Sequence, residues 1–314
     1  MKRIAWPVFS ITLILMVISV FLYRERDTLA NLQGISVRFI LLLISLQIAV
    51  LVVNGIALRI LSTKLNVHLK MKEWLGLSFM TNLGNMITPF SGGLIARAAY
   101  LKHRHGFPYA QFVTSLAANY LISFMMISVT GLIVLTAFHR HFAFFWELTG
   151  VFLITSFILA AFVLTPPREL TWNNRLVHHI NDAIRGWTYI KGDPALILRL
   201  SLCTIMNILL GGAMYQVAYR SYGLAVPFDL SLLVGLLASF SILINLTPGN
   251  FGIQEAIVAV TSELLGMGAA YGVIVSLLLR LTGLLVAFTL GAGFSYVLSR
   301  ELSTDRGAIG QTKT

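Results

Sequence analysis

The sequence predicts an all-α integral membrane protein, and three observations support this fold class. Of the 314 residues, 57% are hydrophobic and only 11% are charged, and the mean hydropathy is +0.83. Apolar runs of the roughly 20 residues that a helix needs to cross a bilayer core recur along the whole chain. These runs are continuous rather than alternating, which excludes a transmembrane β-barrel. We therefore expect a single helical membrane domain over residues 1–298.

The formal net charge of +11 comes from basic residues in short connectors between the apolar runs. Arg59, Lys64, Lys70 and Lys72 follow the second run, for example, with Glu73 as their only acidic neighbour. Positive connectors of membrane proteins are retained in the cytoplasm, so no nucleic-acid partner is needed to explain this charge. The distribution predicts a bacterial inner-membrane protein with both termini in the cytoplasm.

Six apolar segments are predicted to cross the membrane completely. They lie at about residues 4–23, 35–58, 112–137, 142–165, 195–217 and 268–298. The first is interpreted as an uncleaved anchor, because no small-residue cleavage site follows it. Within residues 170–190, apolar residues recur at helical spacing and charged residues take the other side. This pattern predicts an amphipathic helix on the inner leaflet. Residues 299–314 are expected to form a polar C-terminal tail.

Two further apolar segments, at about residues 75–96 and 229–266, are interrupted by Pro, Gly and Asn. Basic clusters flank the first of them, so a complete crossing would place one cluster on the wrong side of the membrane. We expect a re-entrant element that enters from the cytoplasm and returns, and a second one that enters from outside. Eight simple crossings are the alternative topology.

The two interruptions resemble each other. Their shared residues are Thr88, Pro89, Gly92 and Gly93 in the first, and Thr247, Pro248, Gly249 and Gly252 in the second. The prolines are 159 residues apart, and Asn119 and Arg280 further along the chain are 161 apart. These offsets indicate an internal duplication with halves at about 35–137 and 195–298. The charge assignment makes the halves inverted, as in carriers whose broken helices form a polar site at mid-membrane.

Arg280 and Glu255 are the leading candidates for a functional site. Arg280 lies in the interior of the last span, where an arginine costs at least about 2.5–3.5 kcal/mol on insertion scales and needs a polar partner. Glu255 ends the second interruption and is the expected partner. The pair would bind an anionic group such as a lipid phosphate. The alternative is a structural ion pair that fixes helix packing.

Other polar residues near the interruptions are candidate contacts for a substrate. They are Arg97, Asn85, Asn119, Asn245 and Gln254. Backbone amides freed by the Thr-Pro-Gly turns could bind anions or sugar hydroxyls. Topogenic charge, interhelical hydrogen bonds and simple kinked spans are the structural alternatives. No metal-binding pair, Walker loop or dinucleotide motif is present in the sequence, so no cofactor or metal is expected.

The two interruptions resemble signatures of a known family. Pro89, Gly92, Gly93 and Arg97 resemble a P-x-x-G-G/E-x-x-R region, with Arg97 one position later than in that pattern. Pro248, Gly249, Gly252 and Glu255 resemble a P-G-G-x-G-x-x-E signature. Both belong to the flippase-like membrane domain of bacterial lysylphosphatidylglycerol synthases and their stand-alone relatives. The resemblance covers about residues 5–298. Asn250 and Gln254 depart from it, since relatives often have Gly and a basic residue at these positions.

The resemblance implies a lipid flippase or scramblase that moves an anionic phospholipid or a polyprenyl-linked sugar between leaflets. The soluble aminoacyl-transferase domain of the synthases is not expected, because only about 16 polar residues follow the last span, and we expect no enzyme activity. Two alternatives remain open at this stage. One is a carrier for a small solute or ion, and the other is a non-transporting partner of a glycosyltransferase or lipid-modifying enzyme.

Overall fold

The structure is a computed structural model that describes residues 34–138, 145–164, 181, 187–188, 190–244 and 247–311. Over these ranges the chain consists of helices and the turns that join them, without a strand. Among the described residues, four helices are long and apolar enough to cross a membrane: Val37–Lys64, Tyr109–Ala137, Pro194–Ser221 and Ala269–Glu301. The chain is therefore a multi-pass α-helical membrane protein. The predicted span at 4–23, most of the predicted amphipathic helix at 170–190, and Asn245 lie outside the described residues.

The described α-helices are numbered here in chain order. They are α1 Val37–Lys64, α2 Met71–Ile87, α3 Gly92–His105, α4 Tyr109–Phe138, α5 Phe145–Leu164, α6 Pro194–Ser221, α7 Phe228–Ser239, α8 Ile253–Leu264, α9 Ala269–Val286 and α10 Ala292–Gln311. Two 3-10 turns, Phe240–Ile244 and Pro248–Asn250, lie between α7 and α8, and a π-helical turn, Ala287–Gly291, joins α9 to α10. The last helix continues past residue 298, to Gln311, into the segment that was expected to be a polar tail.

The same order of helix lengths occurs twice along the chain. Helices α1 to α4 have 28, 17, 14 and 30 residues, a long helix followed by two short ones and another long one. Helices α6 to α8 have 28, 12 and 12 residues, and the long helix that begins with α9 has 33. This is the order that the predicted duplication requires.

The chain folds into two compact units. The first takes its described residues from Met1–Val50, Phe79–Leu94 and Ile208–Gly293, and the second from Leu51–Ser78, Ile95–Asn207 and Phe294–Thr314. Each unit therefore contains parts of both predicted halves.

In the second unit, α1 and α6 are antiparallel. Lys64 Nζ, at the end of α1, lies 2.7 Å from Asp193 Oδ2, immediately before α6. Leu61 of α1 and Leu200 of α6 belong to one buried apolar cluster, to which α4 also contributes. α1 and α6 are the first long helices of the two predicted halves, and an inverted repeat would require them to run in opposite directions, so the repeat stays a prediction.

The segment that contains the first interruption, α2 and α3, is a helical hairpin whose two ends meet. Glu73, in the first turn of α2, contacts His105, the last residue of α3, with 3.0 Å between Oε1 and Nε2 in the second unit. In the first unit, a Cβ on Gly84 would lie 2.5 Å from Gly93 Cα, so the two helices approach each other at a distance that only glycine permits. The chain therefore returns to the level from which it started.

The second interruption, in the first unit, is also a hairpin. Gln216 of α6 donates through Nε2 to the carbonyl of Val226, just before α7, and the Tyr219 hydroxyl of α6 is hydrogen-bonded to Ser262, near the end of α8. The start of α7 and the end of α8 thus both lie beside the end of α6. Each helix has 12 residues, or about 18 Å, which is shorter than a bilayer core of about 30 Å.

Candidate functional site

The backbone of the second interruption is held open by residues in left-handed conformations. Pro248 begins a 3-10 turn in which Gly249 has φ 58° and Asn250 has φ 55°. Gly252, with φ 86°, then precedes α8. Such values favour glycine, because a side chain there meets the following carbonyl. The Thr247 hydroxyl donates to the carbonyl of Phe251 at 2.8 Å and closes the turn.

Glu255 connects this turn to the start of α8. Its Oε2 accepts a 2.7 Å hydrogen bond from the backbone N–H of Gly252, which is the reciprocal half of a capping box. The side chain of Glu255 is only 3% exposed. The carboxylate is therefore fixed at a helix N-terminus, where the helix dipole favours a negative charge.

Arg280 of α9 completes the site. Its Nε donates to Glu255 Oε1 at 2.6 Å, and its Nη1 donates to the carbonyl of Gly249 at 2.9 Å. The guanidinium also lies 4.9 Å from the centre of the Phe251 ring, within range of a cation–π contact. A guanidinium has five N–H donors. In Arg280, two of the five have an acceptor among the described residues. Its side chain is 14% exposed, so it retains access to a ligand.

The tip of the first hairpin, at the end of α2, reaches the same place within the first unit. A Cβ on Gly249 would lie 3.5 Å from Met86 Cα, and a Cβ on Gly283 of α9 would lie 2.9 Å from Met86 Cε. Met86 is two residues before Thr88, whose hydroxyl donates to the carbonyl of Gly84 at 2.6 Å. The two interruptions therefore meet beside Gly249, the residue whose carbonyl accepts from Arg280.

Several buried polar atoms in the first unit have no hydrogen-bond partner among the described residues. They are Asn82 Nδ2, Asn85 Oδ1, Asn250 Oδ1 and Ser276 Oγ. Ser276 lies one helical turn before Arg280 on α9, and Asn250 follows the glycine that binds Arg280. An unsatisfied buried polar group costs about 1–3 kcal/mol, and each of these atoms is able to form a hydrogen bond with a further polar group.

The structure brings together only part of the predicted site. Arg280, Glu255 and the two interruptions meet as described, and Gln254 Nε2 donates to the buried Tyr215 hydroxyl at 3.4 Å. Arg97 and Asn119 belong to the second unit, where each is partly buried. Their roles in binding, like that of Arg280, remain predictions.

Sequence reasoning missed Phe251, Ser276 and Tyr215 as members of the site. Ser276 could have been found from helical periodicity, because residues four apart lie on one face of a helix. The contact of Phe251 could not, because it depends on the left-handed turn that precedes it.

A second polar cluster, in the second unit, was also missed. Glu73 is 2% exposed, and it accepts hydrogen bonds from the backbone N–H of Lys70 at 2.8 Å and from the Tyr100 hydroxyl at 3.2 Å. Arg104 Nε lies 3.6 Å from Glu73 Oε1 and His105 Nε2 lies 3.0 Å from it. Glu73 stands outside the four candidate spans. Burial alone would raise the pKa of Glu73, but the Lys70 amide, His105 and Tyr100 together lower it below its ordinary value.

Comparison with known proteins gives one family match. The profile of the family described as "Lysylphosphatidylglycerol synthase TM region" matches residues 8–291, which is most of the chain and includes both interruptions and Arg280. No curated protein and no solved structure matched the chain.

Proposed function

We propose that this chain, which belongs to the lysylphosphatidylglycerol synthase TM region family, moves an anionic or glycosylated lipid between the leaflets of a bacterial inner membrane. Family membership relates the protein to lipid metabolism or transport. The flippase or scramblase activity is our inference from the site.

The observation that carries the proposal is the environment of Arg280. Its charge is balanced by Glu255, yet guanidinium N–H groups remain for a further acceptor. A lipid phosphate presents oxygens with the geometry of the guanidinium fork and carries the charge that Arg280 would attract. Glu255 can release the guanidinium without losing its own position, because the Gly252 amide holds its other oxygen.

The hairpins supply a route for the headgroup. The first begins after α1, on the side of Lys64 and Asp193, and the second begins after α6. The 28 residues of α6 extend about 42 Å, enough to cross the membrane, so the two hairpins would enter from opposite faces. The proposed topology has six spans, two re-entrant elements and cytoplasmic termini. The headgroup would meet Arg280 between the hairpins while the acyl chains stay in the bilayer.

The proposed transport makes and breaks no covalent bond. The phosphate is held by hydrogen bonds and charge alone, so the protein acts as a carrier for an intact lipid rather than as an enzyme. Membrane lipids are its partners in this proposal, and it needs no cofactor.

Reconstitution into vesicles tests the proposal. Phosphatidylglycerol or a polyprenyl-linked sugar, fluorescently labelled on the lipid tail, would be placed in both leaflets, and quenching from outside would report transfer from the inner leaflet. Wild-type protein should accelerate transfer over empty vesicles. Arg280→Lys keeps the charge but loses the planar fork, and transfer should fall about tenfold or more.

Two further variants make the result interpretable. Arg199→Ala removes an exposed arginine from α6 and should leave transfer unchanged. The double variant R280Q/E255Q removes both charges of the pair, so it avoids an unpaired buried charge and should fold without transferring lipid. Transfer by wild type at the rate of empty vesicles would reject the proposal, and full transfer by the double variant would remove Arg280 from the mechanism.

A further inference from the structure

A pair of asparagines lies in the interior of two candidate spans of the second unit. Asn207 Nδ2 donates a 2.9 Å hydrogen bond to Asn54 Oδ1. Asn54 is residue 18 of the 28 in α1, and Asn207 is residue 14 of the 28 in α6. Both helices are long and apolar enough to cross the membrane, so the amide pair lies near the middle of its thickness.

The position of the pair is set by helix packing. Asn54 lies seven residues before Leu61, and Asn207 lies seven residues after Leu200. Leu61 and Leu200 share one buried cluster, and α1 and α6 are antiparallel. Two turns away from the cluster in the same direction, both helices therefore present an asparagine, because residues seven apart lie on nearly the same face.

The pair is poorly satisfied as a packing contact. Asn54 is exposed, and its Nδ2 group has no acceptor among the described residues. Asn207 Oδ1 is buried, and no described residue donates a hydrogen bond to it. Acyl chains offer no hydrogen bonds, so an amide that faces them at this depth loses its water without compensation. A contact that only joined α1 to α6 would leave fewer groups unpaired.

We infer that Asn54 binds a hydroxyl group of a lipid headgroup inside the membrane, with Asn207 as the residue that orients it. This inference rests on the proposed function, because only a transported lipid brings its headgroup to this depth. An ammonium group has no acceptor for the amide N–H groups. A phosphate needs a compensating cation at this depth, whereas an amide supplies only a dipole.

A hydroxyl is also the group that suits both orientations of the amide. If both carboxamides of the pair turn about their last bonds, the hydrogen bond between them is kept, and the free group of Asn54 changes from donor to acceptor. A hydroxyl both donates and accepts, so it pairs with Asn54 in either case. The predicted ligand class is therefore a headgroup with free hydroxyls, such as a glycerol or a sugar.

Lipid retention by the purified protein tests this inference without requiring transport. The protein would be equilibrated with equal amounts of phosphatidylglycerol, which has headgroup hydroxyls, and phosphatidylmethanol, which has none, with identical acyl chains. Native mass spectrometry would give the ratio of the two lipids retained. Wild type should favour phosphatidylglycerol by about 2- to 10-fold, which is the preference that one net hydrogen bond produces.

The variants separate binding from packing. Asn54→Leu should bring the ratio to about one, and Asn54→Ser, which keeps a donor and an acceptor, should retain part of the preference. The matched control is Ser45→Ala, since Ser45 is exposed on α1 but its hydroxyl is satisfied by the Leu41 carbonyl of its own helix at 2.8 Å. The control should keep the wild-type ratio.

Two outcomes would overturn the inference. The first is a wild-type ratio of one, and the second is an unchanged ratio in Asn54→Leu. If the second is accompanied by a change from oligomer to monomer, Asn54 is a contact between copies of the chain. If the preference depends on Asn54 but wild type transfers no lipid in vesicles, the proposed function fails and the hydroxyl site stands.

Discussion

Lys64 and Asp193 form a 2.7 Å salt bridge between the end of α1 and the residue before α6. Because 128 residues separate them in sequence, this contact fixes which ends of two long helices share a side of the second unit. It agrees with the positive-inside pattern, which places both positions in the cytoplasm. It is therefore the starting point for a test of topology.

Three cysteines should locate the helix ends. In a Cys203→Ser background, His68→Cys and Gly192→Cys flank the salt bridge, and Ala225→Cys lies between α6 and α7. All three positions are exposed. We expect a membrane-impermeant maleimide to label the first two from one side of the membrane and the third from the other, in right-side-out and inverted vesicles. Labelling of all three from one side would contradict the proposed crossing of α6.

The sequence predicted the pairing of Arg280 with Glu255 because a buried arginine needs a partner and only one acid was placed to meet it. The hairpins were predicted from the distribution of basic residues, which is a constraint on topology rather than on local structure. Asn54 and Asn207 were not predicted, because each is a single polar residue on its own span and nothing local relates positions 153 apart. Glu73 was similarly read as a lone acid, since its partners Tyr100 and His105 come 27 and 32 residues later.

A double-mutant cycle should show that Arg280 and Glu255 are coupled. Arg280→Ala leaves a buried carboxylate unpaired, and Glu255→Gln leaves the guanidinium without its counter-charge. We expect each to lower the free energy of unfolding by about 3–5 kcal/mol, and the double change to cost much less than the sum. Unfolding in mixed detergent micelles would measure this. Arg199→Ala should stay within about 0.5 kcal/mol of wild type, and additive losses would show that the pair is not coupled.

Gly249 should tolerate no side chain. It has φ 58°, and a Cβ there would lie 3.0 Å from Arg280 Nη1. Gly249→Ala should therefore cost about 1–2 kcal/mol from backbone strain and also disturb Arg280. Gly211→Ala is the matched control, because a Cβ at this helical position meets nothing within 4 Å. The control should be neutral or stabilising by up to about 1 kcal/mol. Equal effects of the two substitutions in the same unfolding assay would show that the turn is not constrained.

The Glu73 cluster should make stability depend on acid pH. The pKa of Glu73 is lowered in the folded protein from an ordinary value of 4.5, so its contribution to stability is complete above that value. As the pH falls through the lower folded pKa, the carboxylate is protonated and the contribution is lost. The surrounding groups are Tyr100, Arg104 and His105. Of these, His105 contributes both a hydrogen bond and charge to the site of Glu73, so its effect must be removed.

The measurement therefore uses His105→Gln as the parent, because glutamine keeps a hydrogen-bond donor but carries no charge. The loss of unfolding free energy caused by Glu73→Gln should be constant from about pH 8 to about pH 5 and should shrink below pH 4.5. When Tyr100→Phe is added to the parent, the decline should begin at a higher pH, because the carboxylate of Glu73 has lost one hydrogen-bond donor. Glu147→Gln, at an exposed position on α5, should show no such decline. A Glu73→Gln effect that stays unchanged down to pH 3 would mean that the carboxylate does not stabilise the hairpin through its charge.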